Sequence, residues 1–194
     1  MFTGIVQDIV TITQVEPITG GRRVSITLPL VTQYQIGDSI LLNGICSTVV
    51  AVTSNSLVVE YMPQTERLTT VGAWVSGTRL NCEAPLTLQT KISGSLVTGH
   101  VDCIGQIDSV NQSSEETTLN VLLTQPRPRF IVTQGAITID GVNLTISAIP
   151  SATVVRVSII PHTLKHTIIQ YYRDQTAVNI EYDYIAKLFL AQPV

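Results

Sequence analysis

Cys46 and His100 are two residues of this sequence whose side chains could take part in catalysis. A thiol can act as a nucleophile, and an imidazole exchanges protons near neutral pH. Each has a counterpart of another type in an internal repeat, because Asn143 stands opposite Cys46 and Ile5 stands opposite His100. Such polar differences between copies mark where a symmetric binding protein could become an asymmetric catalyst. The structural alternative stays open, since an isolated cysteine is often a small buried apolar residue.

Two further positions differ in polarity between the copies. Ser39 stands opposite Ala136, and Asn43 stands opposite Asp140. The serine hydroxyl and the carboxylate could each bind a polar ligand. Asp140 precedes Gly141, however, so its simplest interpretation is that of a turn residue.

The repeat that relates these residues has a period near 97 positions. Residues 39–49 (SILLNGICSTV) align with residues 136–146 (AITIDGVNLTI), residues 62–65 with 160–163, residues 79–83 with 177–181, and residues 2–6 with 97–101. This period is too long for one unit of a solenoid and has the length of a small domain. We therefore predict two copies of one fold, at residues 1–90 and 96–185, joined by a short linker near residues 88–95.

The elements that position the candidate residues are predicted to be strands. Short apolar runs alternate with polar residues, as in residues 57–61 (LVVEY) and 154–158 (VVRVS), and Asn-Gly or Asp-Gly turns separate such runs. About six runs per copy indicate a small closed antiparallel barrel. The predicted fold class is all-β, with two similar barrels in tandem. Residues 109–118, which contain several Ser and Glu residues, are expected to form an exposed loop.

The composition excludes several functional classes. The net charge is −3 and no run of Lys or Arg occurs, so nucleic-acid and membrane-surface binding are not expected. No apolar stretch reaches the roughly 18 residues that a spanning helix needs. The N-terminus lacks the pattern of a signal peptide. Three cysteines without a C-x-x-C pair argue against disulfides and structural zinc, and a reduced, cytoplasmic protein is expected.

The C-terminal segment differs from both copies. Residues 184–190 have apolar side chains at helical spacing, and Asp183 could cap the helix. We predict a short helix and tail over residues 183–194. Its apolar face could pack on its own domain or form a subunit interface.

Four segments resemble the riboflavin synthase family, of the trimeric type built from two lumazine-binding barrels. They are residues 1–7 (MFTGIVQ), 43–49 (NGICSTV), 98–102 (TGHVD) and 139–145 (IDGVNLT). The resemblance covers nearly the whole chain. Each motif alone is weakly specific, but four in order within the duplication are specific.

This resemblance implies a transferase. In the family, two molecules of 6,7-dimethyl-8-ribityllumazine exchange a four-carbon unit to give riboflavin and a ribitylamino-pyrimidinedione, with no cofactor or metal. The C7 methyl of the lumazine is acidic because its carbanion is delocalised into the ring, so a weak base suffices. The alternative is a non-catalytic lumazine- or flavin-binding protein, an antenna or carrier.

The resemblance also implies roles for single residues. Cys46, His100 and Ser39 match the catalytic positions of the first-barrel site. The implied substrate-binding positions of the first barrel include Cys46, Ser47, Thr48, Glu60, Tyr61, Met62, Pro63, Gln64 and Thr65. Those of the second barrel include Gln134, Asp140, Asn143, Leu144, Thr145, Ser158, Ile159, Ile160, Pro161, His162 and Thr163. Two further segments, Gly4, Ile5 and Val6 with Gly99, His100 and Val101, match the strands that line the two pockets.

The partners implied by the resemblance are the lumazine substrate, the product riboflavin and two further copies of the chain. A homotrimer would pair the first barrel of one subunit with the second barrel of a neighbour, held by the C-terminal helices. An association with lumazine synthase is also expected.

Overall fold

Two closed antiparallel barrels of six strands each form the described part of the chain, as the sequence predicts. The computed structural model describes residues 1–29, 33–113 and 116–190. The first barrel has the strand order β1-β2-β5-β4-β3-β6, with β1 (Asp8–Ile18), β2 (Gly21–Thr27), β3 (Ser39–Leu42), β4 (Ile45–Val52), β5 (Ser56–Tyr61) and β6 (Arg79–Glu83). The second has the order β10-β11-β8-β7-β12-β9, with β7 (Cys103–Gln112), β8 (Thr117–Leu123), β9 (Ala136–Ile139), β10 (Val142–Ser151), β11 (Val154–Ile159) and β12 (Ala177–Tyr182).

Alternation of side chains explains why these segments are strands. In β5 the residues Leu57, Val59 and Tyr61 are buried inside the first barrel, while their neighbours face outward. The equivalent strand β11 has the same pattern, with every second residue buried. Each barrel therefore encloses its own apolar core.

The expected exposed loop over residues 109–118 is largely wrong. Strand β7 continues to Gln112 and β8 begins at Thr117, and these two residues pair across the hairpin. The far end of β7 is exposed and polar, at Asn111 and Gln112, and β8 begins with two threonines, so the apolar alternation that marks a strand in the sequence is lost here. Residues 114 and 115 lie outside the described residues.

The barrels meet at two equivalent turns. Asn43 and Gly44 connect β3 to β4 with φ values of 45° and 77°, and Asp140 and Gly141 connect β9 to β10 with φ values of 45° and 78°. Positive φ at both central residues is the geometry of a type I′ hairpin turn. A Cβ added to Gly44 would lie 2.8 Å from the backbone nitrogen of Gly141, and the reverse distance is also 2.8 Å. Glycine at both positions lets the two turns touch.

Three short helices complete the structure. Helices α1 (Pro63–Leu68) and α2 (Pro161–His166) follow β5 and β11, and each leads into a 3-10 turn. Helix α3 (Tyr184–Leu190) confirms the predicted C-terminal helix, and the Asp183 carboxylate accepts a hydrogen bond from the backbone of Ile185 as a cap does. Residues 191–194 of the predicted tail lie outside the described residues. Among the described residues, no helix is long and apolar enough to cross a bilayer.

The segment that leads into each barrel crosses to the other barrel. Phe2 and Val97 pair with each other through two backbone hydrogen bonds of 2.8 and 3.0 Å. Val6, ahead of β1, packs against the core of the second barrel, and Val101, ahead of β7, packs against the core of the first. Each barrel therefore receives part of its outer surface from the segment that leads into its twin.

Candidate ligand pockets

The first candidate site is a pocket of about 370 Å³ on the outer surface of the first barrel. This volume lies within the range of small-molecule sites. Strand β4, helix α1 and the crossing segment of the second barrel form its walls. The lining residues are Ile45, Cys46, Met62, Gln64, Thr65, Leu68, Thr69, Gly99, His100 and Val101.

The β3–β4 ladder places three predicted site residues on one face. Ser39 pairs with Thr48, and Leu41 pairs with Cys46. Residues that pair directly share a face of the sheet, and positions two apart along a strand do so as well. Ser39, Cys46 and Thr48 therefore face outward together. Ser47 faces inward instead, where its hydroxyl lies 2.6 Å from the hydroxyl of buried Tyr61.

His100 reaches this pocket because the crossing segment runs against β4. The backbone nitrogen of Cys46 donates a hydrogen bond of 2.9 Å to the carbonyl of Gly99. Gly99 has a φ of +78°, and an added Cβ would lie only 2.6 Å from the Cβ of Cys46. Only glycine allows this approach, which places the next residue, His100, beside the thiol.

Two buried glutamates, neither of them among the predicted site residues, hold the crossing segments. The Glu181 carboxylate accepts hydrogen bonds from the backbone nitrogens of Thr98 and Gly99, at 2.8 and 2.9 Å. Glu83 does the same for Thr3 and Gly4, at 2.7 and 2.9 Å. Burial raises the pKa of Glu83, and these hydrogen bonds oppose the rise. The available signal was that both glutamates end equivalent Asn-x-Glu segments of the repeat.

The equivalent surface of the second barrel is built in the same way. The backbone nitrogen of Asn143 donates a hydrogen bond of 2.8 Å to the carbonyl of Gly4, which brings Ile5 and Val6 to this face. The side-chain oxygen of Asn143 accepts a hydrogen bond of 3.0 Å from Ser95. This surface, formed by Asn143, Ile5 and Val6, corresponds through the repeat to the first pocket, and for that reason alone we call it the second pocket. It presents an amide and an isoleucine where the first pocket presents a thiol and an imidazole.

Several other predicted residues surround the two pockets. Thr145 is exposed on the outer face of β10, in register with Ala136. Met62, Gln64 and Thr65 line the first pocket, and their counterparts in the repeat are Ile160, His162 and Thr163. Pro63 and Pro161 begin α1 and α2, where the missing N–H of proline is not needed.

The structure turns other predicted residues away from the pockets. Tyr61, Leu144 and Ile159 are buried on inward faces of their strands. Glu60 and Ser158 face outward, and Glu60 pairs with Arg23 at 2.6 Å rather than lining the pocket. Gln134 lies in the turn before β9, where its backbone donates to Ile146 at 2.8 Å.

Asp140 lies between the barrels, separate from the second pocket. Its carboxylate accepts hydrogen bonds of 2.7 Å from the backbone of Asn179 and from the hydroxyl of Tyr172. Burial raises the pKa of Asp140 to about 7, although both hydrogen bonds lower it. The sequence correctly places this residue in a turn, and the turn is also the contact between the barrels.

A larger cavity of about 500 Å³ lies at this junction, and its lining includes Asn43, Asp140 and Trp74. The Asn81 side chain donates to the Asp140 carbonyl at 2.9 Å, and the Asn179 side chain donates to the Asn43 carbonyl at 2.8 Å. The polar groups of the junction thus hold the barrels together. The Cys46 thiol and the His100 imidazole lie instead in the first pocket, which is therefore the candidate site.

His162 and His166 stand four positions apart on α2, so an expectation that the histidines lack the H-x-x-x-H spacing of a metal site is wrong. Their rings stack with centroids 4.2 Å apart, and both side chains are exposed. The described residues bring no third His, Cys, Asp or Glu to this pair that could complete a metal site.

The chain matches the lumazine binding domain twice, over residues 3–85 and 98–183. It is 33% identical over 190 residues to riboflavin synthase of Bacillus subtilis, covering 96% of this chain and 87% of that protein. It is 32% identical over 204 residues to riboflavin synthase of Saccharomyces cerevisiae, covering 99% and 86%.

Among solved structures, the fold is similar to that of LumP in complex with 6,7-dimethyl-8-(1'-D-ribityl) lumazine, with a TM-score of 0.84 at 21% identity. It is also similar to LumP in complex with riboflavin, with a TM-score of 0.85 at 22% identity. Each comparison covers 94% of this chain and 99% of the other. The likeness extends over both barrels and their relative placement.

Proposed function

The chain belongs to the riboflavin synthase family, and we propose that it converts two molecules of 6,7-dimethyl-8-ribityllumazine into riboflavin and 5-amino-6-(ribitylamino)pyrimidinedione. The reaction is a transfer of four carbons from one lumazine to the other. One observation carries the assignment to a site: Cys46 and His100, 54 positions apart in the sequence, line one pocket of the first barrel.

The reaction needs a proton acceptor and two lumazine rings held face to face. The C7 methyl of one lumazine must lose a proton to form a carbanion that the ring stabilises, so a weak base is sufficient. Cys46 and His100 are the catalytic residues of this pocket, with the Ser39 hydroxyl on the same sheet face as Cys46. Holding two heterocycles face to face supplies the rest of the rate enhancement through proximity.

The second pocket binds the other lumazine without reacting groups of its own. Asn143 offers an amide for hydrogen bonds to the ligand, and Gly4, Ile5 and Val6 offer backbone groups and apolar surface. The crossing segments make each pocket from both halves of one chain. A bound ligand in either pocket therefore needs one subunit, whereas the reaction needs a first pocket and a second pocket that face each other.

Such a meeting of pockets is provided by a homotrimer. Helix α3 exposes Ile185, Leu188 and Phe189 at 41%, 57% and 84%, an apolar face that the rest of the described chain leaves open. Three such faces packed together would hold a ring of subunits by a closed heterologous contact. Phe189→Asp should give monomers that bind riboflavin but no longer form it. A monomeric variant with full activity would place the whole reaction within one chain.

The activity is tested with the lumazine as sole substrate. The purified protein should consume its absorbance and produce flavin fluorescence, without added cofactor. Stoichiometric binding without turnover at high protein concentration would instead support the lumazine- or flavin-binding protein. The cytoplasm as its location and an association with lumazine synthase complete the proposal.

A further inference from the structure

The two crossing segments end in the same backbone bond but in different side chains. In the first copy, the side-chain oxygen of Gln7 accepts a hydrogen bond of 2.9 Å from the backbone of Ala84. In the second copy, the carboxylate of Asp102 accepts the equivalent bond from Tyr182, also at 2.9 Å. The geometry is repeated, but only the second copy carries a charge. The charged copy is the one whose segment holds His100.

This charge is paired with the C-terminal helix. The ammonium group of Lys187, in α3, forms an ion pair with the Asp102 carboxylate, and Arg127 approaches the other oxygen at 3.8 Å. The side chain of Asp102 is 11% exposed and that of Lys187 is 21% exposed. Without Lys187 this largely buried carboxylate would keep, among the described residues, only the longer ion pair with the half-exposed Arg127, so the Lys187 ion pair matters more than an ion pair in solvent.

Asp102 is also the anchor of the segment that carries His100. Its backbone nitrogen donates to the Ile180 carbonyl at 2.8 Å, and two residues earlier the His100 nitrogen donates to the Thr98 hydroxyl at 3.2 Å. Only Val101 separates Asp102 from His100 in the sequence, which leaves little freedom between the Asp102 anchor and the imidazole. A displacement of Asp102 would therefore also displace His100, which lines the first pocket.

We propose that Lys187 and Asp102 are positioning residues that tie helix α3 to the His100 segment, so that the first pocket is complete only when the helix is docked. The inference rests on the proposed function for the meaning of His100. The same helix turns Ile185, Leu188 and Phe189 outward. A subunit packed on that face would hold α3 down, and through Lys187 it would favour the reactive geometry.

Cys46 supplies a reporter that does not depend on turnover. It is half-buried under the crossing segment, whereas Cys82 and Cys103, the other two cysteines of the chain, are buried. If the segment loosens, a thiol reagent should reach Cys46 faster. Peptide mapping after labelling with dithionitrobenzoate or a maleimide distinguishes this thiol from Cys103, which directly follows Asp102.

The test compares Lys187→Met with Lys187→Arg in the full-length protein. We expect Lys187→Met to label Cys46 about fivefold faster, because a local opening becomes easier, and to lower kcat about tenfold with little change in KM. Lys187→Arg should restore both values, since it keeps the cation. Sedimentation at the assay concentration establishes that both variants have the assembly state of the wild type.

Two further variants provide an independent test and a control. Asp102→Asn keeps an acceptor for the Tyr182 backbone but removes the charge. It should label Cys46 about as fast as we expect for Lys187→Met, and it replaces Lys187→Met as the test if Lys187→Met folds poorly. Arg127→Met removes the more distant, exposed cation and should resemble the wild type. Wild-type labelling and kcat in Lys187→Met would overturn the proposal. If the wild type itself shows no turnover, the proposed function fails, and the labelling rates alone decide the positioning role.

Discussion

The two pockets of this chain share a scaffold but present different side chains. Glutamates 83 and 181 hold the two crossing segments by matching hydrogen bonds, and Gly4 and Gly99 make matching close approaches to the opposite barrel. On this common frame, one pocket presents Cys46 and His100, and the other presents Asn143 and Ile5.

The comparison separates architecture from chemistry within one molecule. Because the backbone geometry is repeated, an effect of substitution that differs between the copies can be assigned to the side chains rather than to the fold. Equivalent substitutions in the two halves serve as controls for one another.

The largest effect is expected from closing the approach at Gly99. In Gly99→Ala the new methyl group would lie 2.6 Å from the Cβ of Cys46, which pushes the His100 segment off the pocket. We expect kcat to fall about 100-fold, the cost of misplacing a catalytic group by roughly 1 Å. Gly4→Ala makes the same clash with Asn143 at 2.5 Å and should chiefly raise KM. Steady-state kinetics decide, and equal losses of kcat in both variants would contradict the division of roles.

The next effect concerns stability and distinguishes Asp140 from its counterpart Asn43. The pKa of Asp140 is about 7 in the folded protein, against 3.8 for an unperturbed aspartate. Between pH 3.8 and pH 7 the carboxyl group is therefore protonated in the folded protein but ionised in the unfolded chain. Stability from this group is therefore lost as pH rises towards 7. Between pH 5 and pH 7 the loss should be about 2–3 kcal/mol of unfolding free energy.

Urea unfolding at the two pH values measures this loss. Asp140→Asn should be less sensitive to pH than the wild type by that amount, since the amide does not titrate. Asn43→Asp should add a new loss of the same sign, because it buries a second carboxylate at the junction. An unchanged pH dependence in Asp140→Asn would show that the carboxylate is already ionised in the folded protein.

The side chains of the first pocket come next. We expect Cys46→Ser and His100→Ala to lower kcat about tenfold or more, because each removes a group that we propose acts on the reacting ring. Asn143→Ala should mainly raise KM, because it removes the amide that we propose holds the second ring. Steady-state kinetics with the lumazine measure both constants. Wild-type turnover in Cys46→Ala would return this thiol to a packing role.

The sequence predicts the fold more completely than it predicts the site. The repeat, the Asn-Gly and Asp-Gly turns and the alternation in β5 and β11 predict two barrels, because each signal is local. The crossing of the leading segments is not local. It depends on Gly4 and Gly99 meeting strands of the opposite copy, and a glycine in the sequence does not show what it approaches.

The missed site residues have a related cause. The sequence marks Glu83 and Glu181 only by their equivalent Asn-x-Glu positions in the repeat, and those positions do not show that both carboxylates are buried. The orientation of each side chain also decides whether a residue belongs to the site, because adjacent residues of β4 face opposite sides of the sheet. The family resemblance names both Cys46 and Ser47, but only Cys46 faces the pocket, while Ser47 bonds to Tyr61 inside the barrel.

The smallest effect is expected at the second pocket, where Ser95 orients Asn143. The Ser95 hydroxyl donates a hydrogen bond of 3.0 Å to the side-chain oxygen of Asn143. A neutral hydrogen bond contributes about 1 kcal/mol, so Ser95→Ala should weaken ligand binding at one site about two- to fivefold. Titration with riboflavin should resolve two sites of unequal affinity, of which only one shifts. Ser93→Ala, an exposed change in the same linker, should shift neither. A change of riboflavin affinity at both sites would mean that the linker affects both barrels. A single riboflavin site in the wild type would contradict the presence of two ligand sites, one on each barrel.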